Sequence, residues 1–484
     1  MGEPRLTELP ARYNAAETFI DSHRGVRESA VAIRCQGTSV TYGELAANVD
    51  RCGNALRELG IGLEQRVLIL CVDSPAFVYA FFGAIKIGAV PVPTNTLLTP
   101  RDLAYVLNDS RAVAVVVSAP LLPKVLEIRK DVPRLKHVIV AGGDEALGAP
   151  TPSGAPTPGV LSLEKLLAAA SDELSPADTT PDDPCFWLYS SGTTGFPKGA
   201  VHLQHDMVYC ADTYGAQVLR TTEDDRHFTV SPLFHAYGLG NGVFFPFAVG
   251  ASSVYKPERA TPDLVYSLIT QEKPTILFTA PTFYAALLAY PEQDFKYDLS
   301  SLRICVSAGE ALPKTLFDQW KKRFGLEILD GIGATEMLHI FISNYPGKAK
   351  GGTSGTPVPG YRAKIVDDDG VELSKGEIGN LWVSGDSCAA YYWNKHEKSK
   401  AAFKGEWYVT GDKYHLDADG YYTYEGRGDD MLKVSGQWVS PAEVEAVLME
   451  HPAVLECGVV GAKDKDELVK PKAFVLLKNG KKPS

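Results

Sequence analysis

Clustered cysteines are missing from this sequence. The eight cysteines, at positions 35, 52, 71, 185, 210, 305, 388 and 457, are scattered and never form a Cys-x-x-Cys pair. Structural zinc sites and disulfide frameworks both need cysteines at close, recurring spacings, so the pattern argues against both kinds of site. Scattered thiols are typical of reducing compartments, and they predict a cytoplasmic protein.

Basic runs and long apolar runs are missing as well. The chain carries 48 basic and 59 acidic residues, a net charge of -11, which disfavours nucleic acid or an anionic membrane as a partner. The longest apolar stretch, Phe77–Pro93, is interrupted by Lys86, glycines and prolines, and no basic-then-apolar signal peptide opens the chain. The sequence therefore predicts no membrane span, and an anionic ligand must be bound by local features.

What is present indicates a large α/β enzyme. The 484 residues are 45% hydrophobic and 22% charged, as expected for a globular enzyme of two or more domains. From Val67 onward strand-like runs alternate with helical ones, and later strand candidates lie at 227–231, 251–255, 276–279, 303–307 and 326–330. This alternation predicts a parallel sheet with helices on its faces.

Other stretches mark the boundaries of elements and regions. Thr41 and Glu44 have the spacing of a capping box, which predicts a helix from there to Leu59. Residues 142–161 are crowded with Gly, Pro, Thr, Ser and Ala and predict an exposed loop. From about residue 361 short strands separated by acidic turns predict a small β subdomain. After Arg427 a helix near 440–450 and two strands, 455–460 and 472–477, predict a last, small domain.

One loop, Tyr189–His202, carries the strongest chemical signal. It follows the apolar run Cys185–Leu188 and precedes a stretch predicted to be helical. Its hydroxyls, glycines and lysine could turn backbone N–H groups and a cation towards a polyphosphate, although a plain surface turn has a similar composition. Pro197 before Lys198 and Gly199 after it exclude the Walker A spacing.

Further stretches follow predicted strands, where ligands bind in open α/β sheets. Ser231–Gly238 contains His235, which could equally be a packing residue, and Ser307–Glu310 offers small residues against which a planar group can lie. Asp330–Glu336 combines glycines with a hydroxyl and a carboxylate that could hold Mg²⁺, or forms an ordinary turn. Asp412 and Arg427 lie on a hairpin-rich segment, where each could be part of a salt-bridged turn.

In this order and spacing the stretches resemble the adenylate-forming (ANL) superfamily of acyl-CoA synthetases, luciferases and peptide-synthetase adenylation domains. The resemblance covers nearly the whole chain. Its motifs stand here as Thr41–Leu45, Gly83–Ala89, the Tyr189–His202 loop, the His235 segment, Gly331–Glu336, Thr410–Asp412 and Gly426–Asp430. Several independent matches in sequence order make chance resemblance very improbable.

The resemblance implies a role for each matched residue in the attack of a carboxylate on the α-phosphate of ATP. The ATP-binding residues would be Ser190, Ser191, Gly192, Thr193, Thr194, Gly195 and Lys198 on the phosphates, Gly309, Glu310, Asp330, Gly331 and Ile332 at the adenine, Asp412 and Arg427 at the ribose, and Thr335 at the α-phosphate. Glu336 would bind Mg²⁺, and His235 would sit beside the acyl carboxylate. His235, Thr335, Glu336 and Lys198 are thus the implied catalytic residues.

The resemblance also implies a fold and a second half-reaction. A large N-terminal adenylation domain, residues 1–428, would comprise two packed α/β subdomains and a small β subdomain at about 361–428. A small α+β C-terminal domain, 429–484, would rotate about a hinge at Asp429 and bring Lys433, Ser435 and Gly436 to a tunnel for the thiol of coenzyme A. Pyrophosphate leaves in the first step and AMP in the second.

The end of the chain departs from the family pattern. Family members continue to a lysine in a Gly-Lys segment that clamps the carboxylate and the α-phosphate, whereas the sequence offers only Gly480–Lys481, directly after a strand. The C-terminal domain is therefore expected to be truncated. The chain as given is predicted to adenylate slowly or not at all while its ATP and acid pockets stay intact.

Within the superfamily the segments around His235 and Glu336 look most like those of benzoate-CoA ligases. Small residues at the faces of a ring and apolar residues at its edges suit a benzene ring, and the predicted acyl-pocket residues are Ala236, Tyr237, Gly333, His339 and Ile340. Benzoate, a hydroxy- or halobenzoate and a short aliphatic acid stay open as substrates, because one hydroxyl or methylene discriminates by only about 1–3 kcal/mol. A non-catalytic acyl-adenylate binding protein is the alternative class, and a homodimer stays open.

Overall fold

The computed structural model of the protein describes residues 6–142, 160–190, 196–428, 432–434, 437–439, 441–463 and 469–478. Apolar β-branched runs form its central strands, and amphipathic stretches form the helices that cover them. Within the described ranges no helix is both long and apolar enough to cross a membrane.

The first half of the chain supplies strands to two large sheets and one small sheet. The strands are β1 (Val31–Cys35), β2 (Thr38–Thr41), β3 (Arg66–Leu70), β4 (Val90–Pro93), β5 (Ala114–Ser118), β6 (His137–Ala141), β7 (Val160–Ser162), β8 (Pro184–Ser190), β9 (Lys198–Leu203), β10 (Arg226–Thr229) and β11 (Ser252–Tyr255).

The second half completes these sheets and adds the β-rich region. Its strands are β12 (Ile276–Thr279), β13 (Ile304–Ser307), β14 (Ile328–Gly333), β15 (Ile340–Ser343), β16 (Thr356–Pro357), β17 (Arg362–Val366), β18 (Gly379–Ser384), β19 (Tyr391–Tyr392), β20 (Phe403–Lys404), β21 (Trp407–Leu416), β22 (Tyr422–Arg427), β23 (Leu432–Val434), β24 (Gln437–Val439), β25 (Val454–Lys463) and β26 (Val469–Leu477).

The helices lie mainly between consecutive strands. They are α1 (Ala15–Phe19), α2 (Tyr42–Glu58), α3 (Pro75–Lys86), α4 (Pro100–Ser110), α5 (Leu122–Glu127), α6 (Leu163–Ala169), α7 (Asp206–Cys210), α8 (Ala236–Leu239), α9 (Phe245–Val249), α10 (Pro262–Glu272), α11 (Pro281–Leu288), α12 (Lys314–Phe324), α13 (His396–Ala402) and α14 (Pro441–Met449). Two π-helical segments, Ala211–Leu219 and Gly240–Phe244, continue α7 and α8.

Two sheets dominate the architecture. A parallel five-stranded sheet has the order β4-β3-β5-β6-β7, and a nine-stranded sheet has the order β16-β15-β14-β13-β12-β10-β11-β1-β2, parallel from β14 to β1. One hydrophobic cluster joins them, with Ile69 and Val116 from the first sheet, Phe278 and Val306 from the second, and Phe81 from α3 between them. This arrangement confirms the predicted pair of packed α/β subdomains.

The predicted β-rich part is a separate antiparallel sheet. Its strands have the order β17-β18-β21-β20, and β22 pairs with β21. A third small sheet, β19-β9-β8, connects this region to the first half of the chain, because Tyr391 and Tyr392 pair with Val201 and Ala200. The last part contains the hairpins β23-β24 and β25-β26 and the helix α14.

Local sequence signals place several elements correctly. The Thr41 hydroxyl accepts from the Glu44 N–H, and the Glu44 carboxylate accepts from the Thr41 N–H, so the predicted capping box begins α2. The helix predicted after the Tyr189–His202 loop is confirmed as α7, Asp206–Cys210, with its π-helical continuation. The last part of the predicted loop, however, is not a loop, because it forms β9, which pairs antiparallel with β8. Most of the predicted exposed loop, residues 143–159, lies outside the described residues.

Candidate active site

The loop singled out by the sequence connects the two strands of a hairpin. Ser190 ends β8 and lies opposite Lys198, the first residue of β9. The residues between them, Ser191–Gly195, lie outside the described residues, so their predicted phosphate contacts stay predictions. The hairpin nevertheless places the Ser190 and Lys198 backbones opposite each other, at the two ends of the segment that connects β8 to β9.

Glu336 is the centre of the polar cluster next to this hairpin. Its buried carboxylate accepts two hydrogen bonds on Oε1, from Ser190 Oγ at 2.9 Å and from Tyr392 Oη at 2.7 Å. Lys198 Nζ lies 3.4 Å from Tyr392 Oη and 4.3 Å from the centre of the same ring. Burial lowers the pKa of Lys198, and the nearby Glu336 opposes that shift. The sequence-predicted residues Ser190, Lys198 and Glu336 are thus brought together.

Tyr392 was not predicted from the sequence. Burial and the adjacent Glu336 raise its pKa far above the ordinary value, so the phenol keeps its proton. Because that proton is donated to Glu336, Tyr392 Oη can only accept from Lys198, and the order of donation is Lys198 to Tyr392 to Glu336. Tyr391 and Tyr392 form a two-residue strand that matches no recognised motif. The position of Tyr392 beside Glu336 becomes visible only once this strand pairs with β9.

A tight turn between β14 and β15 presents Thr335 and Glu336. Gly331 and Gly333 allow the two strands to approach closely, since a Cβ at Gly333 would lie 2.7 Å from the His339 carbonyl oxygen. Leu338 then adopts φ +64°, and the His339 N–H donates to the Met337 carbonyl at 2.8 Å, which closes a γ-turn of the strained form. Backbone strain of this kind is concentrated at functional sites.

The Thr335–Glu336 peptide is held from behind. The Thr335 carbonyl accepts from His202 Nε2 at 2.8 Å, and the Glu336 carbonyl accepts from the Ala389 N–H at 2.7 Å. His202 is fully buried on β9 and was not predicted to have a role of its own. A histidine on the inward face of a strand is expected to be buried, but that position alone does not predict a hydrogen bond to Thr335.

Asp412 and Arg427, the two residues that the resemblance assigns to the ribose, form an ion pair with each other. They lie opposite each other on β21 and β22, and Arg427 Nη1 donates to Asp412 Oδ1 at 2.8 Å. Burial raises the pKa of Asp412, while Arg427 works against that shift. Gly411, at φ +80°, turns the backbone immediately before the carboxylate. Asp412 keeps a second carboxylate oxygen that Arg427 does not occupy, which suits it to accept from hydroxyl groups.

The ends of β13 and β14 carry two buried polar atoms without partners. Asp330 Oδ1 and Ser307 Oγ have no hydrogen-bond partner among the described residues. Burial holds the pKa of Asp330 well above its ordinary value. Orphaned buried acceptors carry a desolvation cost, so this edge of the sheet would be stabilised by a donor such as the amino group of an adenine. Gly309, at φ +93°, and the exposed Glu310 follow β13 at the same edge.

The predicted acyl-pocket residues lie around α8 and β15. The exposed His235 precedes α8, and Tyr237 Oη donates to the Val306 carbonyl at 3.2 Å. His339 is buried, its Nε2 donates to the Tyr237 carbonyl at 3.3 Å, and its ring lies 5.2 Å from Tyr214 and 4.6 Å from Phe245.

His339 is held as a neutral ring. Burial lowers its pKa to about 3, so the imidazole is uncharged at neutral pH. Because Nε2 keeps the proton that it donates, Nδ1 is an acceptor, and this Nδ1 has no partner among the described residues. The structure thus makes His339 a packed aromatic residue with one unused acceptor. Ala236 and Ile332 lie partly buried nearby, and Ile340 is buried in the core.

The donor set fits a Mg²⁺ ion that is shared with phosphates. No group of three or more His, Cys, Asp or Glu residues that could hold a metal occurs in the described ranges. Glu336 alone supplies a carboxylate at the hairpin, and Mg²⁺ is commonly bound by one or two carboxylates together with substrate phosphates and waters. The site therefore suits a magnesium–nucleotide complex better than a resident metal.

The predicted hinge and tunnel residues are largely outside the described structure. Asp429, Ser435 and Gly436 lie outside the described residues, and for Lys433 only the backbone in β23 is described. The predicted hinge and thiol tunnel therefore stay predictions, as does the expectation about Gly480–Lys481.

Comparisons with known proteins match the whole length of the chain. A family model described as "AMP-binding enzyme" matches residues 21–393, and one described as "AMP-binding enzyme C-terminal domain" matches 443–484. A benzoate–CoA ligase of Thauera aromatica is 49% identical over 99% of this chain and 88% of its own length. A 4-hydroxybenzoate–CoA/benzoate–CoA ligase of Rhodopseudomonas palustris is 45% identical over 97% of this chain and 85% of its own length.

Solved structures give the same picture. The structure of an anthranilate CoA ligase in complex with anthranoyl-AMP matches with a TM-score of 0.92 and 44% identity, over 98% of this chain and 89% of that one. A benzoate CoA ligase from Burkholderia xenovorans matches with a TM-score of 0.88 and 42% identity, over 98% of this chain and 91% of that one.

Proposed function

This chain belongs to the AMP-binding enzyme family, and we infer that it is an ATP-dependent, AMP-forming acid:CoA ligase that acts on an aromatic carboxylic acid. The observation that carries the inference is the cluster in which Ser190, Lys198 and Tyr392 surround the carboxylate of Glu336. Benzoate is the proposed substrate, because relatives at 49% and 45% identity are named as ligases for it.

The reaction has two steps. A carboxylate oxygen of the acid attacks the α-phosphorus of ATP, and the bond to pyrophosphate breaks. The thiol sulfur of coenzyme A then attacks the acyl carbonyl carbon, the bond to AMP breaks, and the thiol proton is released. Positioning and stabilisation of developing charge supply most of the catalysis in such phosphoryl chemistry.

We propose that the leaving phosphates are met by the hairpin residues. Lys198 and Ser190, with the loop Ser191–Gly195, would stabilise the negative charge that grows on pyrophosphate. Thr335 would donate to the α-phosphate, and Glu336 would hold Mg²⁺. When bound, Mg²⁺ neutralises phosphate charge and makes the α-phosphorus more electrophilic.

The nucleoside and the acid have proposed subsites on either side of this cluster. Asp412 would accept from the ribose hydroxyls with Arg427 beside it, and the orphaned Asp330 Oδ1 would accept from the adenine amino group. His235, at the start of α8, would lie beside the acid carboxylate. Tyr237 and His339, with the small residues Ala236 and Gly333, would surround the ring.

A hydroxy- or aminobenzoate is the second candidate substrate. The unused acceptor Nδ1 of His339 favours it, because a buried acceptor gains from a hydroxyl or amino donor. A halobenzoate or a short aliphatic acid offers no such donor. The boundary at 428/429, the hinge at Asp429, a cytoplasmic location and a homodimer also stay proposals.

A panel of acids tests the function. Because the chain as given is expected to adenylate slowly, the panel uses a version extended through the Gly-Lys segment of the family pattern. This version is incubated with Mg²⁺, ATP and coenzyme A together with benzoate, the three hydroxybenzoates, 2-aminobenzoate, a halobenzoate or acetate, and AMP and acyl-CoA are quantified by chromatography. Benzoate should give the highest kcat/KM, and related ring acids should fall about 10- to 200-fold below it. Glu336→Gln serves as a control, since it keeps the shape of the side chain and should abolish turnover. Acetate as the best substrate would exclude the aromatic assignment, and AMP formation with none of the acids would refute the ligase.

A further inference from the structure

Two histidines share one buried carboxylate behind the proposed phosphate site. His202 Nδ1 lies 2.7 Å from Asp206 Oδ2, and His205 Nε2 lies 3.2 Å from Asp206 Oδ1. His202 and Asp206 are fully buried, whereas the His205 side chain is 25% exposed. The Leu203 N–H also donates to Asp206 Oδ2, at 3.2 Å. We name His202, Asp206 and His205 the imidazole–carboxylate triad.

The neighbours of the triad fix its protons. His202 Nε2 faces the Thr335 carbonyl at 2.8 Å, and a carbonyl oxygen can only accept, so this nitrogen carries a proton. His202 Nδ1 faces a carboxylate oxygen, so a second proton lies between those two atoms. His205 faces the Pro181 and Asp386 carbonyls, at 2.9 and 3.0 Å, with its two nitrogens. Both of its nitrogens therefore carry protons as well.

The triad is thus a charged assembly inside the fold. Burial lowers the pKa of His205, but Asp206 and the two carbonyls outweigh that effect and raise it above the ordinary value. Asp182 lies 3.8 Å from His205. Burial, and to a smaller extent the Asp206 carboxylate, raises the pKa of the thiols of Cys185, Cys210 and Cys388. Buried charges are retained where their hydrogen bonds are satisfied, which is the case for His202 on both sides. Asp206 Oδ1 has no hydrogen-bond partner among the described residues and is balanced by the ion-pair contact with His205.

Among the described residues, the triad contacts the proposed site through the hydrogen bond from His202 to the Thr335 carbonyl. That carbonyl belongs to the peptide joining Thr335 to Glu336, so its orientation sets the direction of the Glu336 main chain. The ring of Phe186 stacks on His202 at 5.1 Å with planes 19° apart, which restrains rotation of the imidazole. On its other side Glu336 is held by the hydrogen bond from Ala389.

We propose that the imidazole–carboxylate triad is a positioning unit for the proposed magnesium-binding Glu336, with His202 as the positioning residue that acts through the Thr335 carbonyl. The inference rests on the proposed function. Groups that orient metal ligands from behind typically contribute 10- to 100-fold to metal affinity or activity. His202 should therefore matter for ATP when Mg²⁺ is present and should not matter for a nucleotide that lacks the β- and γ-phosphates.

Two matched substitutions separate the two bonds of His202. The amide nitrogen of glutamine reaches where Nε2 lies, so His202→Gln keeps a donor for Thr335 and loses the bond to Asp206. The shorter asparagine reaches where Nδ1 lies, so His202→Asn keeps the bond to Asp206 and loses the donor for Thr335. Titration calorimetry of the full chain measures binding of ATP with and without Mg²⁺, and of AMP.

The proposal expects a defined order of effects. His202→Asn should weaken Mg²⁺-dependent ATP binding by about 10-fold or more, and His202→Gln by less than about 3-fold, with AMP binding unchanged in both. If His202→Asn fails to fold, His202→Met replaces it. Methionine has the length of glutamine but no donor for the Thr335 carbonyl, so this variant should weaken the same binding by about 10-fold. Equal effects of both His202 substitutions, or no effect, would overturn the proposal, whereas failure of the unsubstituted chain to bind ATP would overturn the proposed function itself.

Discussion

Tyr392→Phe is the sharpest test of the cluster around Glu336. The substitution removes one oxygen atom, which donates to Glu336 Oε1 at 2.7 Å and lies 3.4 Å from Lys198 Nζ. The ring remains, so the cation–π contact with Lys198 at 4.3 Å is preserved. Glu336 keeps its hydrogen bond from Ser190. The variant therefore tests the phenol oxygen and little else.

The expected fall in kcat follows from the charge on the Glu336 carboxylate, which accepts the hydrogen bond from Tyr392. A hydrogen bond to a charged group contributes about 1.5–3 kcal/mol. If that energy orients Glu336 in the transition state, kcat should fall by roughly 10- to 150-fold, because each 1.36 kcal/mol corresponds to a factor of ten. KM for the acid should stay unchanged, since the ring pocket around His339 is not touched.

The assay is AMP formation by the C-terminally extended version with ATP, benzoate, Mg²⁺ and coenzyme A, and Tyr391→Phe is the matched control. Tyr391 is the neighbouring residue of the same strand and is 39% exposed, so its variant should behave as the unsubstituted chain. Thermal unfolding should show similar stability for both variants. A Tyr392→Phe enzyme with full kcat would refute the chain of donation from Lys198 through Tyr392 to Glu336.

Three further predictions concern the nucleotide, pH and stability. Asp412→Asn should weaken AMP binding by roughly 10- to 150-fold in calorimetry, because hydrogen bonds from hydroxyls lose a charged acceptor, whereas the exposed Asp419→Asn should leave it unchanged. Burial lowers the pKa of His227 to about 4, below its value in the unfolded chain, so protonation of this ring favours unfolding. The stability that depends on the neutral ring is therefore complete above pH 6.5 and is lost as the pH falls through 4. Urea titrations should show that the free energy of unfolding falls by about 3 kcal/mol between pH 7 and 4, a loss that His227→Gln lacks. A free energy of unfolding that stays constant between pH 7 and 4 would contradict this prediction. Lys86→Met removes the ammonium group that pairs with Asp21 and Asp50 in a buried network, and it should lower the free energy of unfolding by about 3 kcal/mol. Arg51→Ala, which breaks an exposed ion pair, should lower it by less than about 1 kcal/mol. Equal effects of the two substitutions would contradict the role given to burial.

The fold was predictable where local signals and global packing agree. Strand candidates such as 276–279 coincide with β12, and the Thr41–Glu44 capping box begins α2 as expected. The segment 198–202 was predicted as the end of a loop and forms β9, because its glycine and lysine are typical of a loop and one of its pairing partners, β19, is distant in sequence. The helix predicted after it is α7.

The site was predictable only as far as motifs reach. Ser190, Lys198 and Glu336 were singled out from the sequence, and the structure places them within one cluster. Tyr392 and His202 were missed, because a residue that matters through one hydrogen bond to a distant partner leaves no spacing pattern. Their partners, Glu336 and the Thr335 carbonyl, come from other parts of the chain and are adjacent only after folding.

The small sheet β19-β9-β8 also constrains when the protein can become active during its synthesis. Lys198 and Tyr392 are 194 residues apart, so at about 5–20 residues per second roughly 10–40 s pass between their emergence from the ribosome. Until β19 arrives, β9 is an unpaired edge of the hairpin with an apolar centre, Ala200 and Val201. An exposed apolar strand edge can pair with other chains, so the nascent protein is most prone to aggregation during this interval.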